Sequence, residues 1–499
     1  MNNKVEKAKA QGNVRTLGHY IDGKVVQSVT GNIIHRHNPA NGALVATWPA
    51  GTAADVDLAV AAAVKAFDDG RWSELTAGAR SEVLRKAAAL IRSNAEHLAM
   101  IECLETGKPL VQAHDEMLWA SDIWDYAAGQ ARSLHGEVHS NLGEGKLALV
   151  LREPIGPVGL ITPWNYPLIV LSQKLPFALA AGCTAVIKPS EFTAGTTLEM
   201  MRLLEESGLP AGVVNVVNGY GDPVGKHLAE HNDIRLISFT GSTATGRSIL
   251  VAAALNMKKV VLELGGKNPS IVFADADIDN AVDGAIKGFV YNAGAECCSG
   301  SRVLVQRSIA KDFKAKLIDK LKTIKMGDPM DPETNLGSIV NEPQFKKIQQ
   351  YLDEGKKVAT VAIGGNTRED LGGFFVEPTV FVDVPMSASI VREEIFGPVV
   401  AVLEFDDFDE AILISNDTDY GLAASVWTTD FDTALAAARK LRSGIVWVNT
   451  FMDGPSEVPL GGTRQSGYGR ENGLHAIGEF TVLKTVVSQS AGGYARYIS

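Results

Sequence analysis

Residues Val213 to Leu264 read VVNVVNGYGDPVGKHLAEHNDIRLISFTGSTATGRSILVAAALNMKKVVLEL. Short β-branched runs at Val213–Val217, Leu236–Thr240 and Lys259–Leu264 alternate with helix-like segments at Pro223–Glu230 and Ser242–Ala254. This alternation predicts a parallel sheet with helices on both faces. Upstream, Val158–Thr162 and Thr184–Ile187 read as further strands and Phe192–Ser207 as a helix. Asp55–Phe67, Ala79–Leu98 and residues 103–132 read as amphipathic helices, the first with Thr52 and Asp55 in capping-box register. A second alternating stretch runs from about Ser270 to Thr450 and includes the strand-like run Ile445–Asn449. Two α/β units in one chain imply a cleft between them, a common place for a ligand. Glu137–Arg152, folded about Gly143–Gly145, reads as a hairpin, and Phe480–Val487 as a β-rich tail. Exposed strand edges need partners, so both belong to an assembly element. Residues 1–16 are polar and aperiodic, and read as a flexible N-terminus.

Composition narrows the class. The 499 residues are ordinary globular material, and a net charge of −11 excludes a general nucleic-acid binder, which needs a basic face. Four cysteines do not make a disulfide framework, which points to a reducing compartment. Residues 1–9 lack the apolar core of a secretory signal. Gln173, Lys174 and Pro176 break the best apolar stretch, 168–187, short of the roughly 18 apolar residues a spanning helix needs. A cytoplasmic protein with no membrane partner is expected.

Five segments carry candidate chemistry. In Asn292-Ala-Gly-Ala-Glu-Cys-Cys-Ser-Gly-Ser-Arg302, a cysteine in a Gly/Ser-rich turn can be exposed to backbone N–H groups that favour a thiolate. Buried, inert thiols are an equally good account, and with no His or further Cys nearby no metal site is expected. Glu263 ends an apolar strand before Gly265-Gly266, where burial would raise its pKa toward that of a general base; an ordinary ion pair is the simpler alternative. Asn165, in Thr162-Pro-Trp-Asn-Tyr-Pro167, could be an oxyanion donor or only a turn residue. Gly241-Ser-Thr-Ala-Thr-Gly-Arg-Ser248 can bind phosphate at a helix N-terminus, but Arg247 stands where a P-loop needs Lys. Gly219–Gly225 is another Gly-rich turn, and no G-x-G-x-x-G fingerprint occurs.

In this order and combination the segments resemble the aldehyde dehydrogenase superfamily, from Tyr20 to Lys484. The resemblance rests on Pro163–Pro167 (PWNYP), Lys188–Glu191 (KPSE), Phe239–Ser242 (FTGS), Leu262–Pro269 (LELGGKNP), Gly294-x-x-Cys297-x4-Arg302, Glu393–Val399 (EEIFGPV) and Gly461–Glu471 (GGxxxSGxGRE). The spacing between Glu263 and Cys297, 297 − 263 = 34, also fits.

The resemblance implies an NAD-dependent, hydrolytic aldehyde dehydrogenase with Cys297 as nucleophile and Cys298 as its non-catalytic neighbour. Asn165 and the Cys297 N–H would form the oxyanion hole, Glu263 would activate water, and Lys174 with Glu471 would relay its proton. Ile161, Pro163, Trp164, Lys188, Ser190, Glu191, Gly221, Phe239, Gly241, Ser242, Leu264, Glu394 and Phe396 would hold NAD. A carboxylate at Glu191 favours NAD over NADP by accepting from the ribose 2′-hydroxyl and repelling a 2′-phosphate.

The resemblance further implies an α/β fold of two α/β domains, a variant Rossmann NAD-binding domain (17–131 and 154–265) and a catalytic domain (266–479). A small β oligomerisation element (132–153 and 480–499) would join subunits into a homodimer or homotetramer. The chain departs from the family at Glu296, where a negative charge would raise the pKa of the adjacent thiol. Tyr166, Gln173, Glu296, Cys298, Gly454, Glu457 and Leu460 form the expected substrate pocket. Gln173, Gly454 and Leu460 stand where large aromatics are common, so a roomy, polar pocket with an incomplete aromatic cage is expected. Tyr166 and the segment around Glu457 are similar to betaine-aldehyde dehydrogenases; amino aldehydes, semialdehydes and bulky catabolic aldehydes are the other candidates. A CoA-acylating enzyme, which would lack the base Glu263, and a catalytically silent protein on the same fold are the alternatives.

Overall fold

The computed structural model describes residues 14–490 and 498. An eight-stranded sheet runs in the order Gly467–Tyr468, Lys259–Glu263, Leu236–Thr240, Pro157–Ile161, Thr184–Lys188, Val214–Val216, His19–Ile21, Lys24–Val26. Its five central strands are parallel, as the alternation predicts, and their buried Val, Ile and Leu side chains pack helices on both faces. Register places Thr240 opposite Glu263, Phe239 opposite Ile161, and Ile161 opposite Lys188. The segments following these positions therefore emerge along one carboxyl edge, where open α/β sheets bind ligands.

A seven-stranded sheet follows, in the order Thr360–Ile363, Thr379–Val382, Val399–Phe405, Arg302–Gln306, Pro269–Val272, Ala423–Trp427, Ile445–Val448. It is parallel except for its first strand. Each large sheet has its own core: Phe177, Trp124 and Leu160 belong to the first, Phe289, Phe313 and Phe405 to the second. The late strand Gly467–Tyr468 returns to the first sheet and pairs antiparallel with Lys259–Glu263.

A separate three-stranded antiparallel sheet joins Glu137–His139, Lys146–Pro154 and Thr481–Gln489, so the expected hairpin and tail meet. Val138, Leu151, Leu483 and Val487 of these strands are exposed.

Three local expectations need correction. Residues 79–98 do not form one helix: Ala77–Ser93 ends at Asn94, and Ala95–Thr106 begins after it. The Asn94 side chain folds back, donating to the Leu90 carbonyl at 2.8 Å, so it competes with helix continuation. Nor does a helix begin at 103. Gly107, at φ +78°, ends Ala95–Thr106, and Leu110–Ser133 starts after Pro109. Residues 1–13 of the N-terminal segment lie outside the described residues, but Arg15–Thr16 form a strand paired with Ala46 and Thr47. At Thr52 the cap is seen, its N–H donating to Asp55 at 2.8 Å ahead of the helix Ala53–Asp68.

Candidate active site

Cys297 lies where two cavities meet. Asn165, Thr240 and Cys297 line both of them. A tight turn, Tyr291–Gly294, precedes the thiol, with Asn292 and Ala293 at φ +47° and +52°. A side chain at Gly294 would strike the Gly397 carbonyl, its Cβ lying 2.1 Å from that oxygen, so the turn requires glycine. All four cysteines are free; Cys103, Cys183 and Cys298 are buried and Cys297 is partly accessible.

Asn165 is fixed from both ends. Its carbonyl accepts from Lys108 Nζ and Asn292 Nδ2, both at 2.9 Å. Its own Nδ2 donates to the Ala295 carbonyl at 2.9 Å, leaving one N–H of the amide for an oxyanion. Lys108 is held in turn by the buried carboxylates of Glu102 and Glu116, so a charged network stands behind the turn.

Glu263 closes its strand fully buried, with Oε1 accepting from the Gly462 N–H at 3.1 Å. Burial, reinforced by the charge of Glu471, pushes its pKa up to about 8 against the pull of Lys174. Lys174 is paired with Glu471 and donates to Ser238 Oγ at 3.1 Å. Burial also raises Glu471, with Lys174 opposing.

The first cavity opens on the carboxyl edge of the eight-stranded sheet. Pro163, Trp164, Gly241, Ser242, Glu263, Leu264, Glu394 and Phe396 line it, as do Gln344 and Lys347. Trp164 and Phe396 meet edge to face at 5.3 Å. Glu394, raised by burial, accepts from the Gly266 N–H at 2.9 Å. A Cβ on Gly265 would lie 2.5 Å from that carboxylate. Ser242 caps the helix Thr243–Ala254. Ile161, Lys188, Ser190, Glu191, Gly221 and Phe239 do not line this cavity. Ile161, Lys188 and Phe239 sit at the same sheet edge, and Lys188 Nζ is 3.4 Å from Glu191 Oε2.

The second cavity holds the Tyr166, Gln173, Glu296, Cys298, Gly454 and Leu460 expected of a substrate pocket. Its character differs from the expectation of a polar pocket with an incomplete aromatic cage. Trp119 and Trp447 join Tyr166, and Ile169, Val170, Ile445 and Met452 make the walls apolar. The ring absent at Gly454 is supplied from the helix Leu110–Ser133: a Cβ on Gly454 would lie 3.4 Å from Trp119 Cζ2. Glu457 is exposed and does not line the cavity; its neighbour Val458, also exposed, borders it instead.

Glu296 is not a bare charge beside the thiol either. It is buried, accepts from the Tyr166 hydroxyl at 2.5 Å, and burial pushes its pKa up to about 8. Near neutral pH it is therefore largely protonated.

Among the described residues, one cluster has metal-ligand spacing: Asp57, His227 and His231, at the surface and outside both cavities. His227 Nε2 is 2.6 Å from Asp57, and His231 Nδ1 accepts from the Asp233 N–H at 3.1 Å. Hydrogen bonding within the protein accounts for this cluster.

A partly accessible thiol and a fixed amide stand at the junction of two cavities, and a buried carboxyl lines one of them. The aldehyde dehydrogenase family model matches residues 25–486, and the chain belongs to that family. An aldehyde dehydrogenase of Aspergillus niger is 45% identical over 472 residues, 94% of each chain. A betaine aldehyde dehydrogenase of Bacillus subtilis is 43% identical, over 94% of this chain and 96% of its own. Among solved structures, an NAD-dependent aldehyde dehydrogenase from Sinorhizobium meliloti superposes with a TM-score of 0.96 at 45% identity, covering 97% of this chain and 96% of that one. The betaine aldehyde dehydrogenase of Staphylococcus aureus in complex with NAD+ gives 0.96 at 40% identity, covering 100% and 99%. Among the described residues, no helix is long and apolar enough to cross a membrane.

Proposed function

We propose that the protein oxidises an aldehyde to the carboxylic acid with NAD+ and water, through Cys297. The observation that carries this reading is the shared position of Cys297 and Asn165 in both cavities, with Glu263 in one of them. One cavity suits the cofactor: Trp164, Leu264, Phe396 and Glu394 make a slot with one carboxylate, Gly241 and Gly265 give it backbone walls, and Ser242 begins a 12-residue helix suited to phosphate. Lys188 and Glu191 would hold the adenosine ribose, favouring NAD over NADP. Bound there, NAD+ supplies the hydride acceptor.

The chain's own residues do the rest. The Cys297 thiolate adds to the carbonyl carbon, and the free N–H of Asn165 with the Cys297 backbone N–H take the oxyanion. Two-electron oxidation of this adduct leaves a thioester on Cys297. Glu263 then takes a proton from water, whose oxygen attacks the thioester and releases the acid. Lys174 and Glu471 pass the proton outward. The parts 17–131 with 154–265, 266–479, and 132–153 with 480–499 would be the cofactor, catalytic and assembly units.

Betaine aldehyde, amino aldehydes, semialdehydes and bulky catabolic aldehydes remain the substrate candidates. The enzyme would be cytoplasmic, take no nucleic-acid partner, and assemble as a homodimer or homotetramer through its three-stranded sheet, whose exposed Leu151, Leu483 and Val487 support that role.

The test is NADH formation by the purified protein with a panel of aldehydes and no CoA. Turnover abolished by Cys297→Ala is expected. Turnover only when CoA is added would make the enzyme acyl-transferring, and none under any condition would leave a silent protein.

A further inference from the structure

The walls of the aldehyde cavity are largely apolar, and two of the polar residues among them carry unpartnered oxygens. Glu296 Oε2 and Asn472 Oδ1 are both buried, and neither has a hydrogen-bond partner among the described residues. Both residues line this cavity beside Cys297. The other carboxylate oxygen, Oε1, is already occupied by the Tyr166 hydroxyl, which fixes the plane of the group. A buried polar atom left unmatched keeps the cost of its lost hydration with nothing in return. A ligand bearing donors relieves that cost, whereas an apolar ligand perpetuates it.

We infer that Glu296 is a specificity-determining residue that selects aldehydes carrying an ammonium group with N–H donors a few bonds from the carbonyl. This deepens the oxidation reading and rests on it. Glu296 adjoins the nucleophile in the chain, so the group it receives must be close to the reacting carbon. A primary ammonium has three N–H groups to offer such acceptors. A quaternary ammonium has charge but no donor, so it cannot satisfy either oxygen. Trp119 and Trp447 offer rings to the carbon chain between the ammonium and the carbonyl.

The electrostatics of the surroundings agree with this assignment. Burial raises the Glu296 carboxyl, while the Tyr166 hydroxyl, Lys287 and Lys108 lower it. The nearby Lys108 is already matched by Glu102 and Glu116, so a positive charge entering the cavity finds an acidic group still available. Seating an ammonium ionises that carboxyl, its proton leaving to solvent.

The test uses two isosteric pairs with the full-length enzyme and NAD+. 3-Aminopropanal and butanal differ by an ammonium in place of a methyl; betaine aldehyde and 3,3-dimethylbutanal differ by a quaternary nitrogen in place of carbon. The wild type is expected to favour 3-aminopropanal over butanal at least tenfold in kcat/KM, mainly through KM, and to discriminate less within the quaternary pair. Glu296→Gln should lower the first ratio at least tenfold. A wild-type ratio near one, or one unmoved by Glu296→Gln, overturns the inference; so does equal discrimination in both pairs. The wild-type comparison stands even if the variant misfolds. Absence of turnover with any of the four aldehydes would instead count against the oxidation reading itself.

Discussion

Glu263 is buried at the end of an apolar strand, and its carboxyl is pushed up to about 8. A general base works only when deprotonated, so thioester hydrolysis should accelerate as pH rises through about 8 and fall about tenfold per unit below it. Single-turnover acyl-enzyme decay against pH measures this. Glu263→Gln should give one equivalent of NADH in a burst, followed by steady turnover slowed by about 10²–10⁴. Equal slowing of burst and steady state would place Glu263 in an earlier step. Cys297, Glu263 and Asn165 were legible in the sequence because each lies in a local motif whose turn fixes its direction. Trp119, Gln344 and Lys347 were not. They come from helices remote in the chain, and no nearby residue signals that tertiary packing will turn them toward Cys297. Glu457 misled for the converse reason: a segment can match a motif while its neighbour Val458 borders the cavity.

The parallel strands were legible because β-branched runs between turn signals have few other ways to bury themselves. Helix ends were less so, since Asn94 and Gly107 act through backbone geometry that apolar periodicity does not encode. Gly107 stands at φ +78°, and a Cβ there would lie 2.1 Å from Ser338 Oγ and 2.8 Å from Pro39 Cγ. Gly107→Ala should therefore destabilise by about 1–3 kcal/mol, combining left-handed backbone strain with displacement of Ser338. Chemical denaturation would show this as a lower midpoint at unchanged slope. The tail strand Thr481–Gln489 pairs along its full length with Lys146–Pro154 and exposes Leu483 and Val487. Truncation after Phe480 should reduce the oligomer seen by light scattering while subunits retain their cores. An unchanged mass would assign assembly to another surface.

For the whole molecule, two buried carboxyls held at about 8 make stability depend on pH in an uncommon direction. Between the usual carboxylate range and pH 8, Glu263 and Glu296 keep protons in the native state that the unfolded chain has lost. The native state then binds more protons, so stability falls as pH rises through this window, by about 1.4 kcal/mol per unit per group at most. Glu296→Gln should flatten that slope in denaturation curves taken from pH 5 to 8; an identical slope would mean that Glu296 is ionised throughout.

The strand Gly467–Tyr468 belongs by chain order to the second half of the protein but hydrogen-bonds to the strand carrying Glu263 in the first sheet. It acts as a rivet. Rotating the two large sheets apart would strip the rungs beside Glu263 and pull away the Gly462 N–H that Glu263 accepts. The molecule is therefore poorly suited to jaw-like closure over its ligands, and traffic through the two cavities must depend on side chains and loops at their mouths. Small-angle scattering should give the same radius of gyration with and without NAD+.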